Sequence, residues 1–512
     1  MFKDEPRDKV WNELRQHDLR EFASLLTPEV LSEAAERAGV RIGRSALNLA
    51  NLAWLGIASA MHATASFAFV LTTTLKLLED QEGFGSTSVG KAKKKGDAQA
   101  RKNNKQRGRR GKKSKHDPRR ADPTQVTEEA FSQARQRMPL AFWMVLLTLL
   151  ADWFQREHAR HLDFRGFRLL ALDGTTLTLP NEQRLREHYG TPRNGQRKQA
   201  CPQARMAMLT LPGVRIPIGF EVSPLSDCEL VLAERLMRHV RPNDLVLMDR
   251  GFVSYGLFQQ IQQRGAYFGT RLKKNIKYKK LKRLGTDDWL VEWTPKNSRR
   301  KWDALPASMQ LRVIHYQISG FRPSAIVSNV LDPYRLSRQD WVRVASDCDD
   351  NGKLTPGLYH RRWEIETTYF ELKITLKLKS LRSRTPASLE YEVAGRVLYY
   401  LLLRWLVVRA AEKHGLDPLS ISFTNAVREV QHMRATIIIS SPAWVQRTLL
   451  PRLLDRIASH RVPPRPGRHY PRPNDTQPKN RGHGQKQLAS KLSKRVNSNH
   501  RPAQRRHSHR KA

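Results

Sequence analysis

From residue 167 onward the hydrophobic pattern changes from helical to strand-like spacing, and the order of the segments that follow restricts the fold. Apolar runs separated by loop residues, or by the tight Pro212-Gly213 turn, predict three successive strands. A helix, a strand, a second helix and a short strand are predicted next. The predicted ranges are, in order, 167–179, 204–211, 214–222, 227–240, 245–248, 255–264 and 266–272. Such an order is typical of a mixed sheet with helices packed on it.

An acidic residue follows the apolar run of two of these predicted strands. Asp173 closes the run 169–172, and Asp249 closes the run 245–248. Three strands in a meander and then helix, strand, helix, strand is the order of an RNase H-like core, in which two neighbouring strands bring both acids side by side. A third acid, Glu366, lies in a helical pattern. Two metal ions about 3.5–4 Å apart need oxygens from different elements, so these carboxylates predict a hydrolytic two-metal site for nucleic acid.

Residues 356–381 have helical periodicity and predict two stripes on one long helix. Tyr359, Arg362, Glu366 and Lys373 are spaced three, four and seven residues apart, so they share a face. The carboxylate of Glu can bind a metal ion, and the cationic side chains of Arg and Lys can bind phosphate oxygens. The second stripe is largely apolar and is expected to pack on the sheet edge; it comprises Trp363, Thr367, Phe370, Ile374 and Leu378. The alternative is an ordinary amphipathic helix whose Glu–Arg pairs face water.

The charge of the chain indicates a polyanionic partner. The formal net charge is +43 over 512 residues. Residues 91–120 contain 15 Lys/Arg against two Asp, and residues 461–512 contain 15 Lys/Arg against one Asp, yet the remainder is still basic. A basic core favours nucleic acid more strongly than basic tails do. For each stretch alone, a solvated linker or tail is an equally good interpretation.

Cysteine usage and hydropathy indicate a reducing compartment and no membrane. Cys201, Cys228 and Cys348 are far apart and show no metal-ligand spacing, and the charged N-terminus has no apolar signal segment. Residues 45–75 contain no charged side chain, and a stretch of this length is long enough to span a bilayer. Their Asn, His, Ser and Thr residues favour buried helices of a soluble domain, with a membrane protein as the alternative.

The composition divides the chain into eight regions. An N-terminal helical DNA-binding region (1–85) and a basic, disordered linker (86–122) precede a helical lead-in (123–165). The RNase H-like core is expected in two parts (166–269 and 346–385) around a mostly β insertion (270–345). A C-terminal helical region (386–460) and a basic, disordered tail (461–512) complete the α/β, or α+β, chain.

These motifs resemble those of the DDE transposases of bacterial insertion sequences, in the type-4 group with a Y-x2-R-x3-E-x6-K signature. Tyr359, Arg362, Glu366 and Lys373 complete that signature. The two acid motifs, Leu172-Asp173-Gly174-Thr175 and Met248-Asp249-Arg250-Gly251, precede it in the family's order. Three further segments are similar: 205–209, 331–333 and 381–386. The resemblance covers about residues 130–430.

The resemblance implies cut-and-paste transposition by metal-dependent cleavage and strand transfer. Asp173, Asp249 and Glu366 would hold two Mg²⁺ or Mn²⁺ ions. Tyr359, Arg362 and Lys373 would contact DNA, and Lys273 and Lys274, with Trp289 or Trp293, could grip a transposon end; tryptophans in a β insertion are more often core residues. The implied partner is double-stranded DNA, bound by a homodimer in the cytoplasm at the nucleoid. Two alternatives remain: a nuclease on the same core, and a captured transposase that only binds DNA.

Overall fold

Ten strands form one mixed sheet in the part of the chain that the computed structural model describes, namely residues 22, 25–42, 47–67, 69–71, 126–192, 200–295, 305–317, 322–343, 357–439 and 444–462. The strands are β1 Asp163–Phe164, β2 Phe167–Thr178, β3 Gln203–Leu211, β4 Ile216–Pro224, β5 Asp244–Met248, β6 Tyr267–Arg271, β7 Lys279–Gly285, β8 Asp288–Trp293, β9 Met309–Tyr316 and β10 Ser324–Ser328. Their order is β4-β3-β2-β5-β6-β10-β9-β8-β7, with β1 paired to β2.

The centre of the sheet is its parallel part. β2 pairs in parallel with β5, and β5 pairs in parallel with β6, whereas β2–β3 and β3–β4 are antiparallel. Every residue of β5 is buried, as expected for a strand covered on both faces. The seven segments predicted from residue 167 onward are all present with small shifts of their ends. One short helix, Gln183–Tyr189, was not predicted.

The predicted β insertion is mostly β, and its strands continue the same sheet. β10 pairs antiparallel with β6, and β9, β8 and β7 follow outward in antiparallel order. Arg312 on β9 and Asp288 on β8 form a buried ion pair between these outer strands. No break in hydrogen bonding separates the insertion from β5, because β6 pairs with both β5 and β10.

Twelve α-helices are described: α1 Pro28–Arg37, α2 Leu49–Met61, α3 Glu128–Arg137, α4 Leu140–Glu157, α5 Gln183–Tyr189, α6 Glu229–Leu236, α7 Tyr255–Gln263, α8 Arg338–Val342, α9 Glu364–Phe370, α10 Pro386–Lys413, α11 Phe423–Ile439 and α12 Leu450–Ser459. The central one, α10, begins with a capping box between Thr385 and Ser388. Most of its residues, 22 of 28, are buried.

The N-terminal helices share a core with the rest instead of standing apart. α2 crosses α10 so closely that a Cβ atom on Gly395 would lie 2.7 Å from the carbonyl oxygen of Gly56. The hydroxyl of Tyr391 on α10 also donates a hydrogen bond of 2.6 Å to the carbonyl of Leu52 on α2. These helices lie within a compact unit formed by Met1–Tyr316 and Pro323–Gly467. The predicted domain boundaries remain predictions.

The uncharged stretch 45–75 contains the buried helix α2. Among the described residues no single helix is long and apolar enough to cross a membrane, although α3 and α4, bent by 74° at their junction, pass that test together. The bend occurs at Met138-Pro139, since proline ends the preceding helix. The predicted linker 86–122 lies outside the described residues, as does the predicted tail beyond residue 462.

Candidate active site

Two of the three predicted acids lie on, or directly after, neighbouring strands. Leu172 of β2 is paired with Met248 of β5, so Asp173 and Asp249 follow residues that are direct partners in the sheet. Asp173 is still within β2, and its Oδ1 accepts a 2.9 Å hydrogen bond from the N–H of Gly174. Asp249 is the first residue after β5 and precedes a turn of 3-10 helix, Arg250–Phe252. The parallel pairing of β2 and β5 therefore juxtaposes the two carboxylates.

Glu366, the third acid, is joined to Asp173 by an arginine. Arg362 donates a 2.7 Å hydrogen bond from Nη2 to Oε1 of Glu366, and its Nη1 lies 4.0 Å from Oδ2 of Asp173. The Arg362 side chain is 7% exposed, whereas that of Glu366 is 56% exposed. A cation thus stands between the two acids.

The donor set fits a divalent metal, but the carboxylates are not gathered around a common point. Within the described ranges, no group of three Asp, Glu, His or Cys side chains is close enough to hold a metal ion. The acids nevertheless influence one another. Burial raises the pKa of Asp173 to about 6, the Gly174 N–H and Arg362 oppose this rise, and the negative charges of Glu366 and Asp249 add to it. Carboxylates that repel one another are a setting that a divalent cation relieves.

We expect Asp173→Asn to stabilise the metal-free protein at pH 8. The pKa of the Asp173 carboxyl is about 6 in the folded protein and near 3.8 in the unfolded chain. The neutral carboxyl therefore stabilises the folded protein fully below pH 3.8, and this stabilisation is lost as the pH rises through 6. The asparagine side chain does not ionise, so the variant avoids this loss of stability at high pH. Its free energy of unfolding should exceed that of the unmodified protein by about 1–3 kcal/mol at pH 8, and the difference should disappear near pH 4. Urea unfolding in EDTA at both pH values measures it. An equal effect at both would contradict the interpretation.

Two buried tyrosines hold the acid-bearing strands from the segment that carries Glu366. The Tyr359 hydroxyl donates to the carbonyl of Met248 at 3.2 Å, and the Tyr369 hydroxyl donates to the carbonyl of Asp173 at 2.8 Å. Tyr359 was predicted to contact DNA, yet its hydroxyl bonds the backbone beside Asp249. Tyr369 was missed. Its position between Ile365 and Leu372 on the buried face was a usable signal, because a buried tyrosine needs a hydrogen-bond partner.

The prediction of one long helix over 356–381 was wrong. Leu358–Trp363 is a 3-10 helix, Glu364–Phe370 is α9, and Glu371–Thr375 is a π-helix. Tyr359, Arg362 and Lys373 nevertheless all reach β2 or β5, at Met248, Asp173 and Thr175 respectively. Tyr359 and Arg362 are buried, and Glu366 is exposed.

The expected packing of the apolar stripe was also wrong. Trp363, Phe370 and Ile374 are exposed, and only Leu378 at the far end is fully buried. The buried face consists instead of Ile365, Thr368, Tyr369 and Leu372. Ile365, Tyr369 and Leu372 are spaced four and three residues apart and form one regular helical stripe, so the segment packs with a stripe next to the predicted one facing inward.

Lys373 lies within the π-helix and points along β2. Its amino group donates to the hydroxyl of Thr175 and, at 3.0 Å, to the carbonyl of Thr176. Both acceptors are on the strand that carries Asp173. Burial lowers the pKa of Lys373, the nearby Lys379 lowers it further, and Asp173 opposes the change. The structure therefore brings Lys373 to the same strand as the first acid.

Lys273 and Lys274 lie beside the second acid. They line a cavity of about 490 Å³ together with Asp249, Arg250, Gly251 and Asn275. The amino group of Lys273 donates to the carbonyls of Gly251 and Val253 at 3.4 and 3.2 Å, so it supports the turn after Asp249. Lys274 and Arg250 are exposed. Arg250 was not predicted, although its place next to Asp249 was a signal.

The two tryptophans of the insertion differ in environment. Trp293 packs its ring against Tyr255 and Phe258 of α7, in agreement with the interpretation that such residues are core. Trp289 is half-buried and lies under the amino group of Lys280, which is 4.1 Å from the ring centre. The exposed strand β7 that carries Lys280 has the sequence Lys279-Lys280-Leu281-Lys282-Arg283.

A buried cluster of ion pairs joins the segment that carries Glu366 to α10 and to the β3–β4 turn. Glu371, at the start of the π-helix, accepts hydrogen bonds from Arg404 and, at 2.7 Å, from Tyr400, both on α10. Arg215 in the β3–β4 turn donates to Glu371 at 3.0 Å and to Glu364 at 2.7 Å. The Arg404 side chain is 0% exposed. No motif in the sequence indicated this cluster, since its members are far apart along the chain.

Comparison with known proteins identifies the class. Residues 165–402, which contain all three acids, match the family described as "Transposase DDE domain". The transposase InsG of insertion sequence element IS4 from Escherichia coli K12 is 27% identical over 357 residues, which are 68% of this chain and 76% of that protein. The putative transposase InsZ of the same organism is 30% identical over 149 residues, 27% of this chain and 47% of InsZ.

A protein from Synechocystis is a third relative. The putative transposase for insertion sequence element IS4SA of Synechocystis PCC 6803 is 25% identical over 168 residues, 32% of this chain and 42% of that protein. The match over residues 165–402 and the similarity to InsG support an enzyme of DNA transposition with a transposase DDE domain. Within that class it is similar to the transposases of bacterial IS4-type insertion sequences.

Proposed function

We propose that this transposase cuts the ends of its element and joins them to target DNA at a site built from Asp173, Asp249 and Glu366. The observation that carries the proposal is the pairing of Leu172 with Met248, which sets two acids side by side, together with the contacts of Arg362 to both Asp173 and Glu366. A protein that only binds DNA has no physical need for such a trio of acids.

We further propose that β4-β3-β2-β5-β6 is an RNase H-like core. Three antiparallel strands in sequence order, followed by two strands that add in parallel beside the first, are the connections expected of that core. The outer strands β10 to β7 would then be the insertion specific to this family. The order supports the proposal because it makes the acid-bearing strands neighbours.

Divalent metal would be held by the carboxylates of Asp173, Asp249 and Glu366, and we propose two Mg²⁺ ions, with Mn²⁺ as a substitute. When bound, the ions activate water and stabilise the leaving 3′ oxygen. The Glu366 side chain would have to leave Arg362 to take part, and its exposure allows that rotation. Arg362 would then be free to pair with a phosphate, for which its planar guanidinium is suited.

DNA would approach over the exposed cations near the acids. Lys274 and Arg250 line the cavity beside Asp249, and we propose that they bind backbone phosphates there, with Lys273 holding the turn. Lys373 would take a phosphate on the other side, beside β2. We propose that two copies assemble on the paired ends of the element, at the bacterial nucleoid.

The test uses the complete chain and a linear duplex that contains the terminal inverted repeat flanking its reading frame. With Mg²⁺ and a circular target, cleavage at the repeat and covalent joining of the new 3′ end are expected. Cleavage without joining would favour the second candidate, a nuclease on the same core. Binding with neither reaction would favour a protein retired from catalysis.

Lys274→Ala should flatten the salt dependence of DNA binding. One lost phosphate contact lowers the slope of log affinity against log salt by about one. Arg165→Ala is the matched control, since Arg165 is an exposed cation before the first residue of β2, away from Asp173. Anisotropy titrations between low and moderate salt measure both slopes. Equal slopes for Lys274→Ala and the unmodified protein would show that Lys274 does not contact a phosphate.

A further inference from the structure

Two arginines in the helical part of the protein lie over the same aromatic ring. The guanidinium carbon of Arg135, on α3, is 4.2 Å from the ring centre of Phe67, and that of Arg382, just before α10, is 4.3 Å from it. Arg382 also donates a hydrogen bond to the carbonyl of Ala65. The two cations are therefore close to each other, and we call Arg135 and Arg382 the arginine pair.

Neither guanidinium group of the arginine pair is ion-paired among the residues that the structure describes. Arg135 is 7% exposed, and its Nε and Nη1 atoms are buried there without a hydrogen-bond partner. The Nε and Nη2 atoms of Arg382 are buried and unpartnered in the same way. A buried cation without an anion raises the free energy of the folded protein, and unsatisfied donors raise it further.

The charge of Glu392 acts on Arg135, but this carboxylate is already paired. Its Oε1 accepts a 2.7 Å hydrogen bond from Arg396, and its Oε2 accepts bonds of 2.9 and 2.7 Å from the N–H and the hydroxyl of Ser383. Burial lowers the pKa of Arg135, Glu392 opposes this change, and Arg382 adds to it. Three arginines thus share one carboxylate in this region, which leaves an excess of positive charge.

The donors of the arginine pair suit an oxyanion. The ring of Phe67 attracts cations, but that attraction is weaker than a hydrogen-bonded pairing with an anion. Phe67 and Arg382 are half-buried, so a small anion can reach the unpaired donors from their side. Each guanidinium presents a planar fork of N–H groups that matches the oxygens of a phosphate.

The segment that contains Arg382 is suited to a phosphate backbone. Residues 377–384 contain four cations and no acid: Lys377, Lys379, Arg382 and Arg384. Lys377, Lys379 and Arg384 are exposed. Phosphates repeat along a nucleic-acid strand, so a row of exposed cations beside a buried pair can follow one.

We propose that the arginine pair binds one phosphate group, supplied by the DNA backbone or as free inorganic phosphate. The phosphate would accept hydrogen bonds from the unpartnered nitrogens of both arginines. It would join α3, the residues after α2 and the segment before α10, which meet at Phe67. This inference goes beyond the proposed function and does not depend on the three acids.

Thermal unfolding of the full chain tests the site, with sodium phosphate titrated against sodium chloride of equal ionic strength. A ligand that binds only the folded protein should raise the unfolding temperature saturably, by about 2 °C for a chain of this size. Arg135→Met and Arg382→Met should each abolish this rise. Arg384→Met, which removes an exposed arginine of the same segment, is the matched control and should keep it.

Unfolding in chloride alone gives a second readout. Arg135→Met should then be no less stable than the unmodified protein, because it removes a buried charge that lacks a partner. The same is expected of Arg382→Met.

Duplex DNA distinguishes the two sources of phosphate. If a backbone phosphate occupies the site, Arg135→Met should weaken binding to the terminal inverted repeat by about 10-fold and lower the salt slope by about one. If only free phosphate occupies it, the variant should bind DNA normally while the phosphate-dependent rise is still lost.

Two outcomes would overturn the proposal. An equal phosphate-dependent rise in the unmodified protein and in both methionine variants would assign that rise to a general effect of the salt. Lower unfolding temperatures of both variants in chloride would show that the arginines are paired within the protein. Failure of the unmodified chain to cleave DNA would contradict the proposed function and leave this test unaffected.

Discussion

Alanine in place of Asp173, Asp249 or Glu366 is expected to abolish metal-dependent cleavage while leaving DNA affinity within a few-fold. Metal ions contribute several kcal/mol to such a reaction, so losing a ligand should reduce the rate by on the order of 10³-fold or more. Affinity should change little because the acids hold metal and the surrounding cations hold DNA. Single-turnover cleavage of end DNA, with binding measured separately, gives both quantities.

Glu364→Ala is the matched control for that experiment. Glu364 lies two residues before Glu366 on α9, but it is ion-paired with Arg215. The Glu364→Ala variant should cleave DNA at a rate within about ten-fold of the unmodified protein, because the Glu364 carboxylate has no role in the proposed reaction. Near-normal cleavage by any one of the three acid variants would remove that residue from the site.

Glu371→Ala should lower the free energy of unfolding by about 3–5 kcal/mol, because it leaves the buried Arg404 without its carboxylate partner. Chemical denaturation measures the change. Glu364→Ala, at the more exposed end of the same cluster, should cost about 1 kcal/mol or less.

A double variant separates burial of charge from loss of packing. Glu371→Leu with Arg404→Met removes both charges and keeps similar volume, so it should recover much of the loss. A double variant as unstable as Glu371→Ala alone would show that shape, and not the unpaired charge, sets the cost. Cleavage by the double variant at low temperature would then report whether Glu371 also positions the Glu366 segment.

The strands were predictable because the alternation from residue 167 and the two apolar runs before Asp173 and Asp249 are local patterns. Which strands are neighbours is not a local property, and the expectation that β2 and β5 lie side by side came from comparing the order of segments with that of an RNase H-like core. The structure confirms that pairing, whereas the role of the two acids stays a prediction. What the sequence does not reveal is helical pitch. Regular spacing around Glu366 suggested one helix, whereas tertiary contacts of Glu371 and the two tyrosines accompany a change through 3-10, α and π geometry.

The sequence also did not predict contacts between residues that are far apart along the chain. Arg215, Glu371 and Arg404 are separated by many residues, and each is a common residue type with no spacing of its own. The exposure of Trp363 and Phe370 was misjudged because periodicity identifies an apolar face without telling whether a partner covers it. Function was therefore easier to predict from motifs than the surroundings that support it.

The strand β7 is one edge of the sheet, and its lysines have a consequence for self-association. An edge strand presents unpaired N–H and C=O groups, which invite pairing with the edge of another molecule, and lysine is a common means of preventing it. Lys279, Lys280, Lys282 and Arg283 repel a second copy of the same edge. Neutral substitutions there would promote aggregation and would be mistaken for loss of DNA binding. Replacement by glutamate keeps the edge charged and avoids that error.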